Sequence, residues 1–269
     1  MLDDIGRNLT ISIEWKGNSL PISYIDCGEG EIFLYLHGWG QSHATFLPII
    51  ESLSGKGRHI AIDLPGFGNS PVPPEAWAPQ DYASFINQFL KKLEVNQCIV
   101  IGHSYGGRVA FWLAVENPTV IEGLFLIASA GLKTKLPFSR QLRISVIRTL
   151  ARLSRRCLPF IGQRIKDYLY SKIASRDYQQ SGVMRPILIK AVNDDVSEIL
   201  PQINNPVLLL YGENDVETPP KLGQSMNKLL PDSEYIELPG FDHHSILNRG
   251  RHQTVHQLTT FTGKLHRNQ

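Results

Sequence analysis

Ser104 is the residue of this chain that is best placed to act as a nucleophile. It lies in Gly102-His103-Ser104-Tyr105-Gly106, which matches the pattern Gly-x-Ser-x-Gly, and an apolar stretch precedes it. Glycines around a serine allow a sharp turn from a strand into a helix, which lifts the hydroxyl above the sheet. The helix N-terminus behind the serine also favours a developing negative charge. We therefore predict that Ser104 attacks a carbonyl carbon.

A serine nucleophile needs a base, usually a histidine, and a carboxylate that orients this base. Asp215 and His243 each follow a predicted strand, so the chain order is serine, aspartate, histidine. The carboxyl ends of parallel strands meet at one edge of a sheet, which would bring the three residues together. Glu213 and Glu217 are alternatives for the acid, and His244 is an alternative for the base.

The same reaction needs two N–H donors for the negatively charged oxygen of its intermediate. We assign them to the backbone of Tyr105, directly after the serine, and of Trp39, in the loop after residue 36. His37 precedes a glycine in this loop, and we expect it to brace the loop by hydrogen bonding. His43 would either contact substrate or face solvent, and His103 is a candidate for substrate contact.

The pattern of apolar residues predicts the elements that position these groups. Residues 9–16 and 20–26 alternate apolar and polar residues, which is typical of an antiparallel hairpin. Later strands are predicted at 32–36, 60–62, 98–101, 124–127, 207–210 and 234–238. Helices are predicted at 81–94, 105–116 and 219–230, and from about residue 245. Strands that alternate with helices indicate an α/β fold with a mostly parallel sheet.

One long segment interrupts this alternation. About 78 residues without a clear strand separate the strands predicted at 124–127 and 207–210, and a simple crossover needs far fewer. We therefore predict a helical cap at 132–203, inserted into a core formed by 1–131 and 204–269.

The first part of this cap is strongly basic. From Lys133 to Arg176 there are four lysines, eight arginines and a single acid, Asp167. This gives the segment a formal charge of +11, whereas the whole chain carries +2. Its leucines, valines and isoleucines recur at helical spacing between the arginines, which predicts a basic amphipathic helix. The arginines would pair with acids elsewhere, or would bind an acidic carrier protein, an anionic substrate or an anionic membrane surface.

Composition narrows the class of protein further. A chain of 269 residues with 42% hydrophobic and 19% charged residues is ordinary for one large globular domain. Its three cysteines are widely spaced, which argues against a disulfide framework or a zinc site. No signal peptide and no nucleic-acid-binding motif is visible, so we expect a cytoplasmic protein without a nucleic-acid partner. The predicted chemistry needs neither a metal nor an organic cofactor.

Together, five motifs resemble those of the α/β-hydrolase superfamily. They are His37-Gly38-Trp39-Gly40, Asp63-Leu64-Pro65-Gly66-Phe67-Gly68-Asn69-Ser70, Gly102-His103-Ser104-Tyr105-Gly106-Gly107, Gly212-Glu213-Asn214-Asp215 and Pro239-Gly240-Phe241-Asp242-His243. The resemblance covers nearly the whole chain and implies the α/β-hydrolase fold with a catalytic triad of Ser104, Asp215 and His243. In relatives the residue at Asp63 is usually structural, and the loop before the histidine often reads Gly-x-Gly-His, so Asp242 departs from the pattern.

The resemblance also limits the activity. Haloalkane dehalogenases and epoxide hydrolases use an aspartate nucleophile, and Ser104 argues against both. We therefore expect a capped serine hydrolase that cleaves a small or acyl-chain carboxylic ester through an acyl-enzyme. The alternatives are cleavage of a carbon–carbon bond, a thioester or a lactone, methyl-ester cleavage on a carrier protein, or a binding protein without catalysis on the same fold.

Overall fold

The central element is a twisted sheet with strand order β1-β2-β4-β3-β5-β6-β7-β8. It is seen in a computed structural model that describes residues 7–133, 177 and 180–267. The strands are β1 (Leu9–Trp15), β2 (Asn18–Gly28), β3 (Ile32–Leu36), β4 (Arg58–Ile62), β5 (Cys98–His103), β6 (Ile121–Ile127), β7 (Val207–Gly212) and β8 (Ser233–Leu238). The α/β-hydrolase fold predicted from the sequence is thus confirmed.

The strand directions follow the two hydrophobic patterns. Strands β1 and β2 pair antiparallel and β2 pairs antiparallel with β4, whereas the pairs from β4 to β8 are parallel. Strand β1 alternates between more and less buried residues, because one of its faces meets solvent. Strands β5 and β7 are buried at every residue, because helices cover both faces of the sheet there.

Six α-helices lie within the described residues. They are α1 (Leu47–Ser52), α2 (Pro79–Lys92), α3 (Tyr105–Glu116), α4 (Arg185–Asn193), α5 (Pro220–Asn227) and α6 (Arg251–Leu265). Helices α2 and α3 contribute to the core on one face of the sheet, where Val100 of β5 lies. Helices α1 and α6 contribute to the core on the other face, with Ile99 and Ile101. Successive side chains of β5 point to opposite faces of the sheet, so this strand contributes to both cores.

Two elements differ from the expectation. Helix α1 was not predicted, and α6 begins at Arg251 rather than near residue 245. Turns occupy the intervening residues, where the Gly250 N–H donates to the Ser245 carbonyl over 2.9 Å and the Thr254 hydroxyl donates to the Ile246 carbonyl over 2.9 Å. Side-chain and turn hydrogen bonds therefore replace the first helical turns, and they hold the segment that follows β8.

The predicted cap lies only partly within the described residues. Its C-terminal part contains α4 and short 3-10 helices at Gly182–Met184, Val196–Glu198 and Leu200–Gln202. Most of the basic segment, residues 134–176, lies outside the described residues. The division into core and cap therefore stays a prediction.

No helix within the described residues is both long enough and apolar enough to span a bilayer.

Candidate active site

Ser104 lies in a strained turn between the end of β5 and the start of α3. Its backbone has φ 51° and ψ −112°, a region that costs a residue with a side chain about 1–3 kcal/mol. Its carbonyl accepts the N–H groups of Gly107 and Arg108, and the Ala130 N–H also donates to it over 3.0 Å. The first turn of α3 and the segment after β6 thus hold the strained residue in place.

Gly106 allows α3 to approach the sheet. A Cβ atom at this position would overlap the carbonyl group of Leu36, at the end of β3. Because no side chain intervenes, the helix that begins behind Ser104 packs directly against the strand that leads into the loop at Trp39. The two glycine-rich motifs are therefore neighbours in space.

Asp215 and His243 form a buried pair beside this turn. Asp215 follows β7 and His243 follows β8, and Oδ2 of the aspartate lies 2.7 Å from Nδ1 of the histidine. The other carboxylate oxygen of Asp215 accepts the N–H groups of Glu217 and Thr218, each over 2.8 Å. These backbone donors fix the direction of the carboxylate, so that Oδ2 faces the imidazole.

The alternative acids and the alternative base make different contacts. Glu213 accepts the N–H of Gly240 over 3.0 Å and so braces the loop after β8 from outside. A carboxylate oxygen of Glu217 lies 3.7 Å from Nε2 of His243, on the opposite side of the ring from Asp215. The His244 side chain is 58% exposed, and its Nε2 lies 3.4 Å from Glu217. Asp215 and His243 are therefore the pair with the geometry of an orienting acid and its base.

The loop after β3 is braced by His37. Nδ1 of His37 donates to the Gly38 carbonyl over 2.8 Å, and Nε2 accepts the Leu64 N–H over 3.0 Å. Burial lowers the pKa of His37 to about 4, so its ring is neutral at pH 7. Trp39 packs edge-on against the rings of Phe67 and Tyr105, with centroids 4.9 and 5.5 Å apart. The two hydrogen bonds of His37 agree with the structural role expected for this residue.

A cavity of about 690 Å³ brings most of the candidate residues together. Among the described residues it is lined by Gly38, Trp39, Gly40, Gln41, His103, Ser104, Asp177, Gln180, Val216, Glu217, His243 and His244. A neighbouring groove of about 280 Å³ continues past Trp39 toward Phe67 and Met184. Ser104, His243 and Trp39 thus face a common space that has room for a small molecule.

His43 is buried in the 3-10 helix His43–Phe46, which follows the loop at Trp39. Both its N–H and its Nδ1 contact one carboxylate oxygen of Asp63, over 2.8 and 2.7 Å. Burial acts to raise the pKa of Asp63, but hydrogen bonds from His43 and Asn69 outweigh it and lower that pKa. The described residues that line the cavity do not include His43, so its contact with substrate stays a prediction.

His103 is wholly buried although it borders the cavity. Its Nδ1 lies 3.1 Å from Oε1 of Gln41, and its Nε2 lies 3.0 Å from the backbone carbonyl oxygen of His243. Burial and the neighbouring histidines keep the pKa of His103 well below its usual value. Both ring nitrogens thus face protein atoms, and the predicted substrate contact of His103 stays a prediction.

Two residues of the site were missed in the sequence. Gln41 contacts Gly38 and His103, and Thr218 lies between Asp215 and His243, with its hydroxyl 2.9 Å from the carboxylate and 3.1 Å from Nδ1. Thr218 carries a local signal, because an aspartate often accepts N–H groups two and three residues later in a turn. Gln41 carries no such signal for its contacts with His103 and His244, which are distant in the chain.

Comparison with protein families agrees with this architecture. A family model described as alpha/beta hydrolase fold matches residues 31–181, more than half of the chain. The chain belongs to the α/β-hydrolase family. A second model, described as TAP-like protein, matches residues 185–265 of this α/β-hydrolase.

Individual relatives point to hydrolytic enzymes. The chain is 29% identical to a pimeloyl-[acyl-carrier protein] methyl ester esterase of Vibrio vulnificus, over 88% of this chain and 96% of the relative. It is 26% identical to a 2-(acetamidomethylene)succinate hydrolase of Mesorhizobium japonicum, over 90% of this chain and 87% of the relative. A thermophilic esterase from Thermogutta terrifontis has a similar fold, with a TM-score of 0.73 at 20% identity over 97% of this chain and all of that one. This α/β-hydrolase is therefore an enzyme of the hydrolase class.

Proposed function

We propose that this enzyme hydrolyses a carboxylic ester through an acyl-enzyme formed on Ser104. The observation that carries the proposal is the 2.7 Å contact between Asp215 and His243, at a cavity that Ser104 also lines. The strained turn at Ser104 supports it, because such strain persists only where the surrounding structure enforces it. The ester hydrolases among the relatives support the choice of substrate class.

In this mechanism Ser104 attacks the ester carbonyl while Nε2 of His243 takes the hydroxyl proton. Asp215 keeps a hydrogen on Nδ1 of His243, so that Nε2 is free to accept, and stabilises the imidazolium that results. His243 then gives the proton to the departing alcohol, which leaves the acyl group on Ser104. Water, activated by His243, attacks this acyl-enzyme and releases the acid.

Trp39 and Tyr105 donate their N–H groups to the oxyanion in this proposal. The Gly38 carbonyl accepts hydrogen bonds from His37 and from the Gln41 N–H, over 2.8 and 3.2 Å. A peptide group is planar and trans, so the N–H of Trp39 points away from that carbonyl. Holding the carbonyl therefore also holds the donor, which costs no reorganisation during the reaction.

A second, finer proposal concerns the substrate. We infer that the acyl group is presented by an acidic carrier protein that contacts the basic segment from Lys133 to Arg176. The formal charge of +11 on this segment supports it, since opposite charge speeds and orients association. The named substrate of the Vibrio relative is also linked to an acyl carrier protein.

The test of the nucleophile is Ser104→Ala, with Ser225→Ala on the exposed side of α5 as the matched control. We expect Ser104→Ala to lower kcat on p-nitrophenyl esters by roughly 10⁴-fold or more, because the acyl-enzyme cannot form. Ser225→Ala should leave kcat unchanged, and thermal denaturation should show that both variants are folded. A fluorophosphonate probe should label the parent protein but not Ser104→Ala.

Turnover near the parent level in a folded Ser104→Ala variant would overturn the proposed mechanism. A panel of esters, thioesters, lactones and carbon–carbon cleavage substrates then separates the alternatives that share this nucleophile. The highest kcat/KM on an ester supports the proposal, whereas a clear preference for another class replaces the ester with that class.

A further inference from the structure

Gln41 spans the gap between the loop after β3 and the loop after β8. Its Oε1 accepts the N–H of Gly38 over 2.9 Å, directly before Trp39. Its Nε2 lies 3.4 Å from Nδ1 of His244, the neighbour of His243. A backbone N–H can only donate, so the amide oxygen must face Gly38 and the amide nitrogen must face His244. One side chain thus contacts both the segment of the proposed oxyanion donor and the segment of the proposed base.

His103 forms a second link, which joins the end of β5 to the loop after β8. The backbone oxygen of His243 can only accept, so Nε2 of His103 carries the hydrogen in their 3.0 Å contact. This bond joins the residue before Ser104 to the residue that would act as base. A Cβ atom at Gly38 would lie within 3.0 Å of both Gln41 Oε1 and His103 Nδ1, so the absence of a side chain lets the three segments meet.

These contacts tie together the three parts that the proposed reaction must align. The attacking oxygen comes from the turn after β5, one N–H donor comes from the loop after β3, and the base comes from the loop after β8. Such groups need to stay within a fraction of an ångström, since a displacement of 1 Å can reduce the rate about 100-fold. The regular hydrogen bonds between strands end before these three loops. The side chains of Gln41 and His103 connect the loops beyond the end of the sheet.

We propose that Gln41 and His103 are positioning residues for the reaction. They hold the loop at Trp39 and the loop at His243 in a fixed position relative to Ser104. The inference rests on the proposed function of Ser104, His243 and Trp39. Neither residue needs to touch the substrate for this role. Their loss should lower kcat, because alignment in the transition state is lost, and should leave KM nearly unchanged.

The experiment uses Gln41→Met, which keeps the length of the side chain and removes both hydrogen-bonding groups. Gln88→Met, on the exposed face of α2, is the matched control. We expect Gln41→Met to lower kcat on a p-nitrophenyl ester by about 10- to 100-fold, below the loss of a complete oxyanion donor. KM should change less than about threefold, because the interaction lost acts on alignment in the transition state and not on substrate binding. The rate of labelling by a fluorophosphonate should fall with kcat, while the melting temperature stays near that of the parent.

The second variant, His103→Leu, tests the other link. If both residues act on one alignment, the double variant Gln41→Met/His103→Leu should lose less activity than the product of the two single losses. His103 is wholly buried, so Gln41→Met alone decides the matter if His103→Leu does not fold.

Two results would overturn the inference. One is a kcat of Gln41→Met within twofold of the parent, and the other is a loss that appears in KM or in the melting temperature instead of kcat. If either occurs while Ser104→Ala is inactive, only the positioning role fails. If Ser104→Ala retains activity, the proposed function fails with it.

Discussion

For single residues, the deciding feature is which nitrogen of His243 each acid faces. Asp215 lies against Nδ1 and is held by two backbone N–H groups, whereas Glu217 lies 3.7 Å from Nε2. In the proposed reaction Nε2 must be free to accept a proton, so an acid on Nδ1 assists and an acid on Nε2 does not orient the ring correctly. Position along the chain does not distinguish these acids, but their contacts do.

Asp215→Asn is expected to lower kcat by about 10⁴-fold, because the amide no longer keeps the histidine in the tautomer that accepts at Nε2. Glu213→Gln is the matched control, since the Glu213 carboxylate accepts the Gly240 N–H, and it should change kcat less than about threefold. Steady-state kinetics on a p-nitrophenyl ester measures both variants. A larger loss in Glu213→Gln than in Asp215→Asn would contradict the assignment of the acid.

For loops and secondary-structure elements, His37 connects the loop after β3 with the loop after β4. It donates to Gly38 and accepts from Leu64, so the neutral ring satisfies both contacts and a charged ring cannot accept. The pKa of about 4 in the folded protein lies below the usual value of 6.5 because burial disfavours the charge. The unfolded chain therefore binds a proton between pH 6.5 and 4 that the folded chain excludes.

The contribution of His37 to folding stability should accordingly fall as the pH is lowered through 6.5 toward 4. Between pH 7.5 and 5.0 we expect a loss of about 2 kcal/mol in the free energy of unfolding from this residue. Denaturant unfolding at both pH values should show that His37→Asn, although less stable at pH 7.5, loses about 2 kcal/mol less than the parent over this interval. Equal losses in the two proteins would show that His37 is not held neutral.

For the whole molecule, charge is distributed unequally along the chain. The segment from Lys133 to Arg176 carries +11 while the complete chain carries +2, so the remaining residues are formally −9. Two distributions of this charge have different consequences: pairing of the basic segment with the acidic remainder would stabilise the fold, and exposure of it would attract an acidic partner. The proposal of a carrier-protein substrate predicts the second.

Removing three arginines of this segment, as Arg152→Ala/Arg155→Ala/Arg156→Ala, should weaken binding of an acidic acyl carrier protein by about tenfold at low salt. The matched control removes three exposed cations elsewhere, as Lys221→Ala/Lys228→Ala/Arg251→Ala, and should change the Kd less than threefold. Titration with the carrier protein at about 50 and 300 mM salt measures the Kd of the parent and of both triple variants. The higher salt concentration should weaken binding strongly only in the parent and the control. Equal effects of the two triple variants would mean that total charge, not the basic segment, governs binding.

The sequence by itself determined the fold, the order of its strands along the chain and the candidates for the chemistry. Local patterns carry this information: alternating residues predict the hairpin, continuous apolar stretches predict the buried strands, and glycines predict the turn at Ser104. The start of α6 was predicted too early, because hydrogen bonds of Ser245 and Thr254 with residues nearby compete with the first helical turns. Such competition depends on side-chain geometry that periodicity does not contain.

Only the tertiary structure decided which residues stand together at the carboxyl edge of the sheet. It set Asp215 rather than Glu213 or Glu217 against Nδ1 of His243, and it set Gln41 between two loops that are about 200 residues apart in the chain. Contacts between distant segments follow from strand order and loop direction, and no local pattern encodes them. The residue types for the chemistry can thus be read from the sequence, whereas their distances and bracing arise from the packing of the whole sheet.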